Sequence, residues 1–563
     1  MTFLPDQMLR CLLINPEFRT ESFWSFTAAC ELKGAKSISP PLGLLTVAAI
    51  LPQQWEFRLA DLNVRPLSEA DWDWADLICT GGMLPQQPST LEIIDRAVEE
   101  HKYIVVGGAD PSSQPELYRK ADTLVVGEGE EVIPLWLASW AEGNPGGVFR
   151  ERAKPDITTS PTPRFDLIEL SAYMQINIQY SRGCPFNCEF CDIIELYGRR
   201  PRTKTSDQIS KELDALLAIG YSGQVFIVDD NFIGNKVNLT KHLLPGLIEW
   251  NRKNRYPFFY TTEASLNLMD DESLMTQMRA AEFRSVFFGI ETPDPDVLRI
   301  TQKKQNSYRP ILERIHKLYA HGMVAYGGFI LGLDGEKDGV DELMIELIED
   351  ACINMAMVGL LVALPNTQLT RRLLRERRLL SISGDLIESE QEMFTSAGAS
   401  DLDAQHLDQT MVGLNFRTQR SRQRIMEDLV RVVSTVYEPQ RYFDRVLRLS
   451  KQLKPVSRHR PRWFAVKRDL VAFVKLSWAM TKDSETRYYY WRNLLAAIRL
   501  GAAGFGTMVE LMGAYLHFKI QVNSSVAEVR RQIPIAAEKD RKLAELDGES
   551  HSLELVILHD HCA

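Results

Sequence analysis

Short apolar runs alternate with longer amphipathic stretches over the first 140 residues of the chain. Five of these runs end in turn residues and have the length of buried strands, namely LRCLLIN, FRLADLNV, DLICTGG, YIVVGGA and TLVVGEGE. Helix-like stretches such as PLGLLTVAAILP and PSTLEIIDRAVEEHK lie between them. The alternation predicts an N-terminal doubly wound parallel sheet of Rossmann-like type in residues 1–145, with ligands bound at the carboxyl ends of its strands.

A second series of strands and helices follows a connector, residues 146–170, which is rich in Pro and Thr. Proline spacing there favours extended chain over helix. The next apolar runs are MQINIQYS, QVFIVDD, FFYTTEA, SVFFGIE, AYGGFILG and AMVGLLVAL, with helical patterns between them. Six such repeats predict a central partial (β/α)6 barrel over residues 171–385, with its chemistry at the carboxyl ends of the strands.

Strand patterns fade after about residue 380, and residues 386–563 are expected to form a mostly α-helical C-terminal domain. The chain as a whole is therefore expected to be an α/β multidomain protein. The most apolar helical stretch, residues 500–518, contains Glu510 and His517, which are costly at a bilayer centre. A buried or amphipathic helix is favoured there over a transmembrane helix.

The helical tail also carries a basic and aromatic stretch. Residues 441–475 combine Arg and Lys with Trp463, Phe464 and Phe473, and Trp478 lies just beyond. A basic amphipathic surface of this kind can make peripheral contact with an anionic membrane. A solvated basic face over a helical core explains the same pattern equally well.

Charge and cysteine content narrow the class of protein. The formal net charge of −10 argues against nucleic acid as a partner, since nucleic-acid-binding proteins usually carry a basic excess. Eight cysteines among 563 residues do not form the dense pattern of a secreted disulfide framework. The N-terminal sequence also lacks the features of a signal peptide. We therefore expect a cytoplasmic location, in a reducing environment where iron–sulfur clusters persist.

Three of these cysteines, Cys184, Cys188 and Cys191, follow the first barrel strand with the spacing C-x3-C-x2-C. Three thiolates on one short loop can ligate three irons of a [4Fe–4S] cubane, which normally takes four ligands, so one iron stays open. The amino and carboxylate groups of S-adenosylmethionine (SAM) can occupy that position. A structural zinc site is the alternative, but it usually needs a nearby fourth Cys or His, and the nearest histidine, His242, lies about 50 residues on.

This spacing, with Phe190 directly before the last cysteine, resembles the radical SAM superfamily. Further residues fit the resemblance at the ends of the next four barrel strands: Asp229, Glu263, Glu291 and Gly328. The resemblance implies that these four residues and Phe190 contact SAM. Glu291 is the preferred contact because it interrupts a strongly apolar strand. For each acid taken alone, a solvated or helix-capping carboxylate is an equally good interpretation.

The N-terminal sheet resembles the cobalamin-binding domain of cobalamin-dependent radical SAM enzymes. The resemblance rests on PPLGLLTVAAILP and on the strand ends TGG, VGG and GEGE, where glycines let the backbone approach a bulky ligand closely. Many cobalamin domains carry D-x-H-x-x-G, whose His ligates cobalt, but here Asn63 stands in the place of that His. The residues implied to bind cobalamin are Asp61, Asn63, Thr80, Gly107, Gly108 and Glu128. A degenerate sheet that binds no corrinoid is the alternative.

The string CEFCDIIELYGRRPRTKT, with GQVFIVDDNFIGN and SVFFGIETP, resembles the subgroup that includes the hopanoid C-2 methylases. The resemblance implies a C-methyltransferase that uses a [4Fe–4S] cluster, SAM and cobalamin to methylate an unactivated carbon of a small molecule or a hopanoid-like lipid. It also implies an electron donor such as ferredoxin or flavodoxin, and a lipid substrate would place the enzyme at the inner face of the membrane. Two alternatives stay open: a radical SAM enzyme of another class, such as ring contraction, cyclisation or oxidation, and a non-enzymatic sensor.

Overall fold

The chain folds into two six-stranded parallel sheets covered by helices, followed by a region of helices alone. The computed structural model describes residues 7–18, 23, 25–306, 310–381, 386–387, 410–411, 413–455, 457–461 and 463–560. Across these residues the architecture confirms the expected α/β multidomain class with a helical C-terminal part.

The first sheet has the strand order β2-β1-β3-β4-β5-β6, with all neighbours parallel. Its strands are β1 (Arg10–Asn15), β2 (Glu56–Asp61), β3 (Leu77–Gly81), β4 (Tyr103–Gly107), β5 (Thr123–Val126) and β6 (Gly147–Arg150). Its helices are Leu42–Ile50, Glu69–Trp74, Gln87–Glu99, Ala109–Ser113 and Gly129–Ala141. The strand order reverses at β1, which lies between β2 and β3, so a crevice opens at the carboxyl ends beside it, where sheets of this type bind ligands.

Both faces of the first sheet are buried, which explains why its strands are apolar runs without alternation. Leu13 and Cys79 pack on one face with Trp136 of the helix Gly129–Ala141. Leu12 and Ile78 have the opposite orientation and pack with Trp72. The doubly wound arrangement follows from this burial on both sides.

One strand of the first sheet, β6, lies inside the segment that the sequence predicts to be a connector. It pairs with β5 in parallel, so the sheet extends beyond residue 145. The strand is mostly exposed, because it forms the edge of the sheet, and therefore it has no apolar run that marks it in the sequence. The rest of the connector forms short 3-10 turns at Ile157–Thr159, Phe165–Leu167 and Leu170–Ala172.

The second sheet has its strands side by side in chain order, as expected for a partial barrel. They are β7 (Ile176–Ile178), β10 (Gly223–Ile227), β11 (Phe258–Ala264), β12 (Phe283–Glu291), β13 (Val324–Leu331) and β14 (Ala356–Leu360), while β8 (Ser181–Arg182) and β9 (Arg202–Thr203) form a separate antiparallel hairpin. The helices are Ile193–Leu196, Ser206–Ala218, Lys236–Asn238, Leu244–Lys253, Glu272–Ala280, Pro295–Ile300, Ile311–Ala320, Val340–Asp350 and Gln368–Arg375. The six strands are those that the apolar runs predict.

The C-terminal region consists of the helices Arg422–Val436, Pro439–Gln452, Trp463–Lys482, Arg487–Ala497 and Gly501–Asp560. Among the described residues, one helical run, Arg487–Glu545, is long and apolar enough by composition to cross a membrane. Part of it is nonetheless core, since Leu511, Tyr515 and Phe518 are buried. The side chain of Phe464, which the sequence assigns to the basic stretch, lies outside the described part of the chain.

The last helix also packs on a short N-terminal helix, Thr27–Lys33, and on the segment before it. The Nε2 atom of His517 lies 3.0 Å from the carbonyl oxygen of Phe23. The imidazole ring of His517 stacks on Phe26, with 4.9 Å between ring centroids. Phe23 and Phe26 also line the cavity that the two sheets share.

Candidate active site

The three motif cysteines lie on one loop between β8 and the helix Ile193–Leu196. The N–H of Cys184 donates to the carbonyl of Gly198 (3.2 Å), and the N–H of Cys191 donates to the carbonyl of Cys188 (3.2 Å). Cys188 is buried, and the other two are half-buried. The backbone thus holds all three thiols on one compact turn at the carboxyl end of β7, where barrel enzymes place their chemistry.

Two side-chain amides point at the sulfur atoms of this loop. The Nδ2 of Asn231 lies 3.9 Å from the Sγ of Cys184, and the Nε2 of Gln305 lies 3.7 Å from the Sγ of Cys188. N–H groups that donate to sulfur stabilise its negative charge, and such hydrogen bonds help to set the reduction potential of iron–sulfur clusters. Both amides therefore suit thiolates that ligate iron.

The donor set also fits a cluster better than a single metal ion. No three His, Cys, Asp or Glu side chains within the described ranges are arranged to hold one ion. A cubane binds each thiolate to a different iron, so the sulfurs need not converge on one point. Burial raises the pKa of the Cys184 and Cys191 thiols, so they keep their protons until a positive partner such as iron binds.

A buried ion pair lies beside the cysteine loop. Lys303 donates a hydrogen bond to Glu291 at the end of β12, and its Nζ lies 5.8 Å from the ring centroid of Phe190. Glu291 has a left-handed backbone with φ of 69°, which costs a non-glycine residue about 1–3 kcal/mol and is retained mainly at functional sites. Three residues predicted to contact SAM are thus placed differently: Phe190 lies in the loop itself, Glu291 lies beside it, and Gly328 is buried in β13 against the ring of Phe287.

Asp229 and Asp230, at the end of β10, face in different directions. Asp229 is buried and accepts hydrogen bonds from the N–H of Tyr180 (2.8 Å) and the hydroxyl of Ser181 (2.6 Å). Asp230 accepts from the N–H of Gly183 (3.0 Å) and lines the main cavity. Asp229 therefore holds the chain that leads into the cysteine loop, and its neighbour, which the sequence analysis did not select, is the carboxyl that reaches the cavity.

One cavity of about 1590 Å³ runs from the first sheet, past Asp192 and Ile193 directly after the cysteine loop, to the C-terminal helices. Its lining includes Asn15, Thr80 and Gly107 from the first sheet, Gln224, Thr261, Glu263 and Tyr326 from the barrel, and Leu470, Phe473, Phe505 and Val509 from the helices. The volume suits one large ligand or several smaller ones, since pockets for drug-sized molecules measure about 300–1,000 Å³. All three parts of the chain therefore share one binding space.

Most residues predicted to bind cobalamin line the N-terminal end of this cavity, namely Asn63, Thr80, Gly107, Gly108 and Glu128. The strand ends there are tightly packed, since a Cβ at Gly81 would lie 1.7 Å from the carbonyl oxygen of Gly107. Only glycine fits at Gly81, and the missing side chains leave bare backbone facing the cavity. The edge therefore suits a broad, flat ligand lying directly against the backbone.

Asp61 and Asn63 are engaged with protein groups at this edge. Asp61 accepts hydrogen bonds from Asn15 (2.9 Å) and from the hydroxyl of Tyr173 (2.9 Å), which precedes β7, and it does not line the cavity. The amide of Asn63 donates to the carbonyl of Pro16 (3.0 Å) and accepts from the N–H of Phe18 (2.7 Å). Asp61 therefore ties the first sheet to the barrel, and Asn63 is a fixed part of the cavity wall.

A group of buried charges joins the first sheet to the cysteine loop. Arg182 donates to Glu128 (2.8 Å) and to Glu130 (2.8 Å), and Arg202 donates to Glu128 (2.6 Å). Although burial acts in the opposite direction, Arg182 lowers the pKa of Glu130 to about 2. The carboxylate of Glu128, predicted to contact cobalamin, thus bonds to two arginines of the barrel hairpin and fixes the distance between the two sheets.

Glu263 combines with Asp229 and Asp230 to form a group of carboxyls with raised pKa values. Burial and the two neighbouring aspartates raise the pKa of Glu263 to about 7, and burial raises those of Asp229 and Asp230 to about 6 and about 7. Carboxyls of this kind near a cleft are typical of functional sites. A cationic group bound there would let them ionise, and the sulfonium and ammonium groups of SAM have that charge.

We predict that Glu263→Gln stabilises the cofactor-free protein by about 3 kcal/mol at pH 8 and by less than about 1 kcal/mol at pH 5. The folded-state pKa lies above the ordinary value of 4.5, so wild-type stability falls as pH rises from about 4.5 to about 7. Glutamine removes that loss. Urea unfolding at both pH values measures the difference, with Glu313→Gln as the control at an exposed position. A gain at pH 5 equal to that at pH 8 would contradict the raised pKa.

Family models match successive parts of the chain. The B12 binding domain matches residues 33–136, the radical SAM superfamily matches residues 178–348, and a domain of unknown function matches residues 367–531. An uncharacterized methyltransferase of Synechocystis sp. is 40% identical over 512 residues, which cover 91% of each chain. The chain belongs to the cobalamin-dependent radical SAM methyltransferases. Its cofactors are therefore a [4Fe–4S] cluster, SAM and cobalamin.

Other relatives of the chain agree with its assignment to the cobalamin-dependent radical SAM methyltransferases. The hopanoid C-2 methylase of Rhodopseudomonas palustris is 38% identical over 376 residues, which cover 66% of this chain and 71% of the relative. Among solved structures, the cobalamin-dependent radical enzyme OxsB superposes with a TM-score of 0.56 at 16% identity, covering 94% of this chain and 81% of that one. The methyltransferase TsrM of Kitasatospora setae gives a TM-score of 0.53 at 16% identity, covering 66% and 75%. At this identity the structures confirm the fold alone.

Several site residues of this methyltransferase were missed by the sequence analysis. Asn177 interrupts the apolar strand β7, lines the cavity and has a buried Oδ1 without a hydrogen-bond partner among the described residues. A polar residue in the middle of an apolar strand could have indicated this site residue from the sequence. Lys303 and Gln305 had no such signal, because they lie in a polar turn, TQKKQN, that resembles any exposed loop.

Proposed function

We propose that this enzyme methylates an unactivated carbon of a hopanoid-like lipid, at the C-2 position of its ring system. The single observation that carries the proposal is the continuity of the cavity, which leads from the bare strand ends of the first sheet to an apolar chamber. The identity of 38% to a hopanoid C-2 methylase supports the same substrate class.

The apolar chamber lies between the barrel and the C-terminal helices. Its walls include Phe226, Phe287, Tyr326, Met355 and Met357 from the barrel, and Phe473, Leu476, Phe505, Val509 and Leu511 from the helices. Aromatic rings and methionines give a wide, adaptable apolar surface. A rigid polycyclic hydrocarbon would bury its rings there, whereas a charged metabolite would leave its polar groups without partners.

We assign the cofactors to the two ends of the site. Cys184, Cys188 and Cys191 would hold the cluster, and Phe190, Asp229, Glu263, Glu291 and Gly328 would form the SAM side, with Asp229 and Gly328 acting through the backbone they support. Asp61, Asn63, Thr80, Gly107, Gly108 and Glu128 would form the cobalamin side. When bound, cobalamin supplies a transferable methyl group, and SAM at the cluster supplies the radical that removes a substrate hydrogen.

The chain itself orients these groups and excludes water. Arg182 and Glu128 fix the separation of the two sheets, and the last helix forms part of the cavity wall. An electron donor such as ferredoxin or flavodoxin would reduce the cluster. We place the enzyme in the cytoplasm, at the inner face of the membrane.

The test uses anaerobically reconstituted enzyme with cobalamin, SAM, a strong reductant and a defined hopanoid in detergent. We expect S-adenosylhomocysteine and 5′-deoxyadenosine in similar amounts, together with a hopanoid that has gained the mass of one methyl group. If 5′-deoxyadenosine forms without S-adenosylhomocysteine, the enzyme does not methylate and instead belongs to the class that carries out ring contraction, cyclisation or oxidation. If neither product forms although the cluster is spectroscopically intact, the protein is better explained as a sensor.

Two glycines that line opposite ends of the cavity allow its parts to be tested separately. At Gly43 and Gly506 an added Cβ meets no atom within 4 Å, so a larger side chain projects into open space. We predict that Gly43→Phe weakens cobalamin binding by about tenfold or more while the cluster still assembles. Gly506→Phe is expected to keep cobalamin binding and to lower hopanoid methylation by a similar factor.

Each glycine variant serves as the control for the other. Cobalamin binding is measured by the change in its visible spectrum, and methylation by mass spectrometry of the lipid. Equal effects of both substitutions on cobalamin binding would contradict the division of the cavity into two ends.

A further inference from the structure

The helix Trp463–Lys482 presents a row of exposed apolar side chains. They are Trp463, Val466, Leu470, Val471, Val474 and Trp478, of which Trp463 is 80% exposed, Trp478 64% and Leu470 61%. Their spacing of mainly three and four residues places them on one face of the helix. Large apolar groups are seldom gathered on an exposed surface unless that surface binds something.

The next helix continues this surface. Tyr488, Trp491, Leu495 and Ile498 are exposed at spacings of three and four residues. The two rows meet at the turn between the helices, where the indole N–H of Trp491 donates to the hydroxyl of Thr481 (3.1 Å), one turn beyond Trp478. We name the two rows together the hairpin face.

The charges around the hairpin face are mainly positive. Residues 463–500 contain seven Lys or Arg and three Asp or Glu, a net charge of +4 in a chain whose net charge is −10. The acids Asp483 and Glu485 are both paired with Lys519 (2.7 and 2.8 Å). The ammonium of Lys482 lies over the ring of Trp478, 4.8 Å from its centroid. Lys467 and Lys475 are exposed and make no ion pair within the described residues.

This combination identifies the class of partner. Tryptophan and tyrosine with lysine and arginine on an amphipathic helix are typical of surfaces that lie in the headgroup region of a bilayer. The excess positive charge is complementary to anionic lipid. The helix Pro439–Gln452, part of the basic stretch seen in the sequence, instead contributes Tyr442 and Phe443 to the core.

The hairpin face also borders the cavity. Val466 and Leu470 belong both to the face and to the cavity lining, which continues along the same helix through Phe473 and Leu476. We propose that the hairpin face docks on an anionic bilayer, so that the lipid substrate passes directly from the membrane into the cavity. The docking is inferred from the exposed surface alone, whereas the passage of substrate depends on the proposed lipid methylation.

Vesicle binding tests the docking without any catalysis. The reconstituted full chain is mixed with vesicles of phosphatidylcholine alone or with phosphatidylglycerol added, and the bound fraction is measured by flotation. We expect binding to the anionic vesicles that weakens with salt, and Leu470→Glu with Val474→Glu should lower it about tenfold or more. Leu343→Glu, on the exposed side of the helix Val340–Asp350, is the matched control and should bind as wild type.

Three results would overturn the docking: no binding by the wild type, equal loss in the Leu343→Glu control, or a concentration-dependent dimer that the double substitution abolishes. Lys467→Gln with Lys475→Gln, which leaves the apolar row intact, should reduce the preference for anionic vesicles. Methylation of hopanoid in detergent is measured in parallel. Wild-type enzyme that methylates hopanoid in detergent but does not bind the anionic vesicles would reject the docking alone, whereas wild-type enzyme that binds these vesicles but does not methylate hopanoid would reject the proposed function alone.

Discussion

Cys188→Ala is expected to prevent assembly of the iron–sulfur cluster and to reduce both SAM-derived products to background. Only two thiolates would remain on the loop, and a cubane that keeps one iron open for SAM needs three. The amide of Gln305, which lies 3.7 Å from this sulfur, would lose its acceptor as well. Iron and sulfide content per chain and the visible spectrum measure cluster assembly, and chromatography measures the products.

Cys30→Ala is the matched control for this experiment. Cys30 is buried like Cys188, but it lies on the helix Thr27–Lys33 and outside the site. Removing its thiol should cost a little stability and leave the iron content unchanged. Full iron content in Cys188→Ala would show that another group ligates the cluster and would reject the assignment of the loop.

Arg182→Met is expected to destabilise the protein by about 3–5 kcal/mol, since it leaves a buried carboxylate without its cation. Arg182 binds both Glu128 and Glu130, and Glu128 keeps Arg202 when Arg182 is removed. Glu130 keeps the hydroxyl of Ser160 as a neutral donor but loses its cation. Glu130→Gln added to Arg182→Met should therefore recover part of the loss. Urea unfolding of the cofactor-free protein compares the wild type with both variants.

The pH dependence of this effect has a defined sign. Glu130 has a pKa of about 2 in the folded protein against an ordinary value of 4.5. Such a carboxyl contributes stability above pH 4.5 and loses that contribution as pH falls towards 2. The difference between wild type and Arg182→Met should thus be largest near neutral pH and shrink below about pH 4. Arg119→Met, which breaks the exposed pair with Glu116, should cost less than about 1 kcal/mol at any pH.

The sequence predicts the two sheets of this protein well because their strands are buried. A strand such as β1, with every residue after Arg10 buried, must be an apolar run, and its length marks it as a strand. This reasoning does not apply to the edge strand β6, because a mostly exposed strand needs no apolar run. The arrangement of the helices in the C-terminal tail could not be predicted either, because helix periodicity shows which face of a helix is apolar but not which partner covers that face.

The site was predictable where chemistry constrains spacing. Cys184, Cys188 and Cys191 must share one loop, so their pattern is visible in the chain. Residues whose role depends only on where the fold places them leave no such pattern in the sequence. Asp229 and Asp230 are adjacent and chemically identical, and only the fold shows that the first supports the loop and the second lines the cavity. Arg182 likewise has its partners 52 and 54 residues away, at the start of the helix Gly129–Ala141 that covers the first sheet.

The contact between His517 and Phe23 spans 494 residues, so the two groups are made at very different times during synthesis. At about 5–20 residues per second, the N-terminal segment exists for roughly 25–100 s before the last helix leaves the ribosome. Both sheets can fold in that interval, while the cavity between them still lacks the wall that the helix provides. A cofactor as large as cobalamin can therefore be loaded onto the nascent chain, without any later opening of the finished protein.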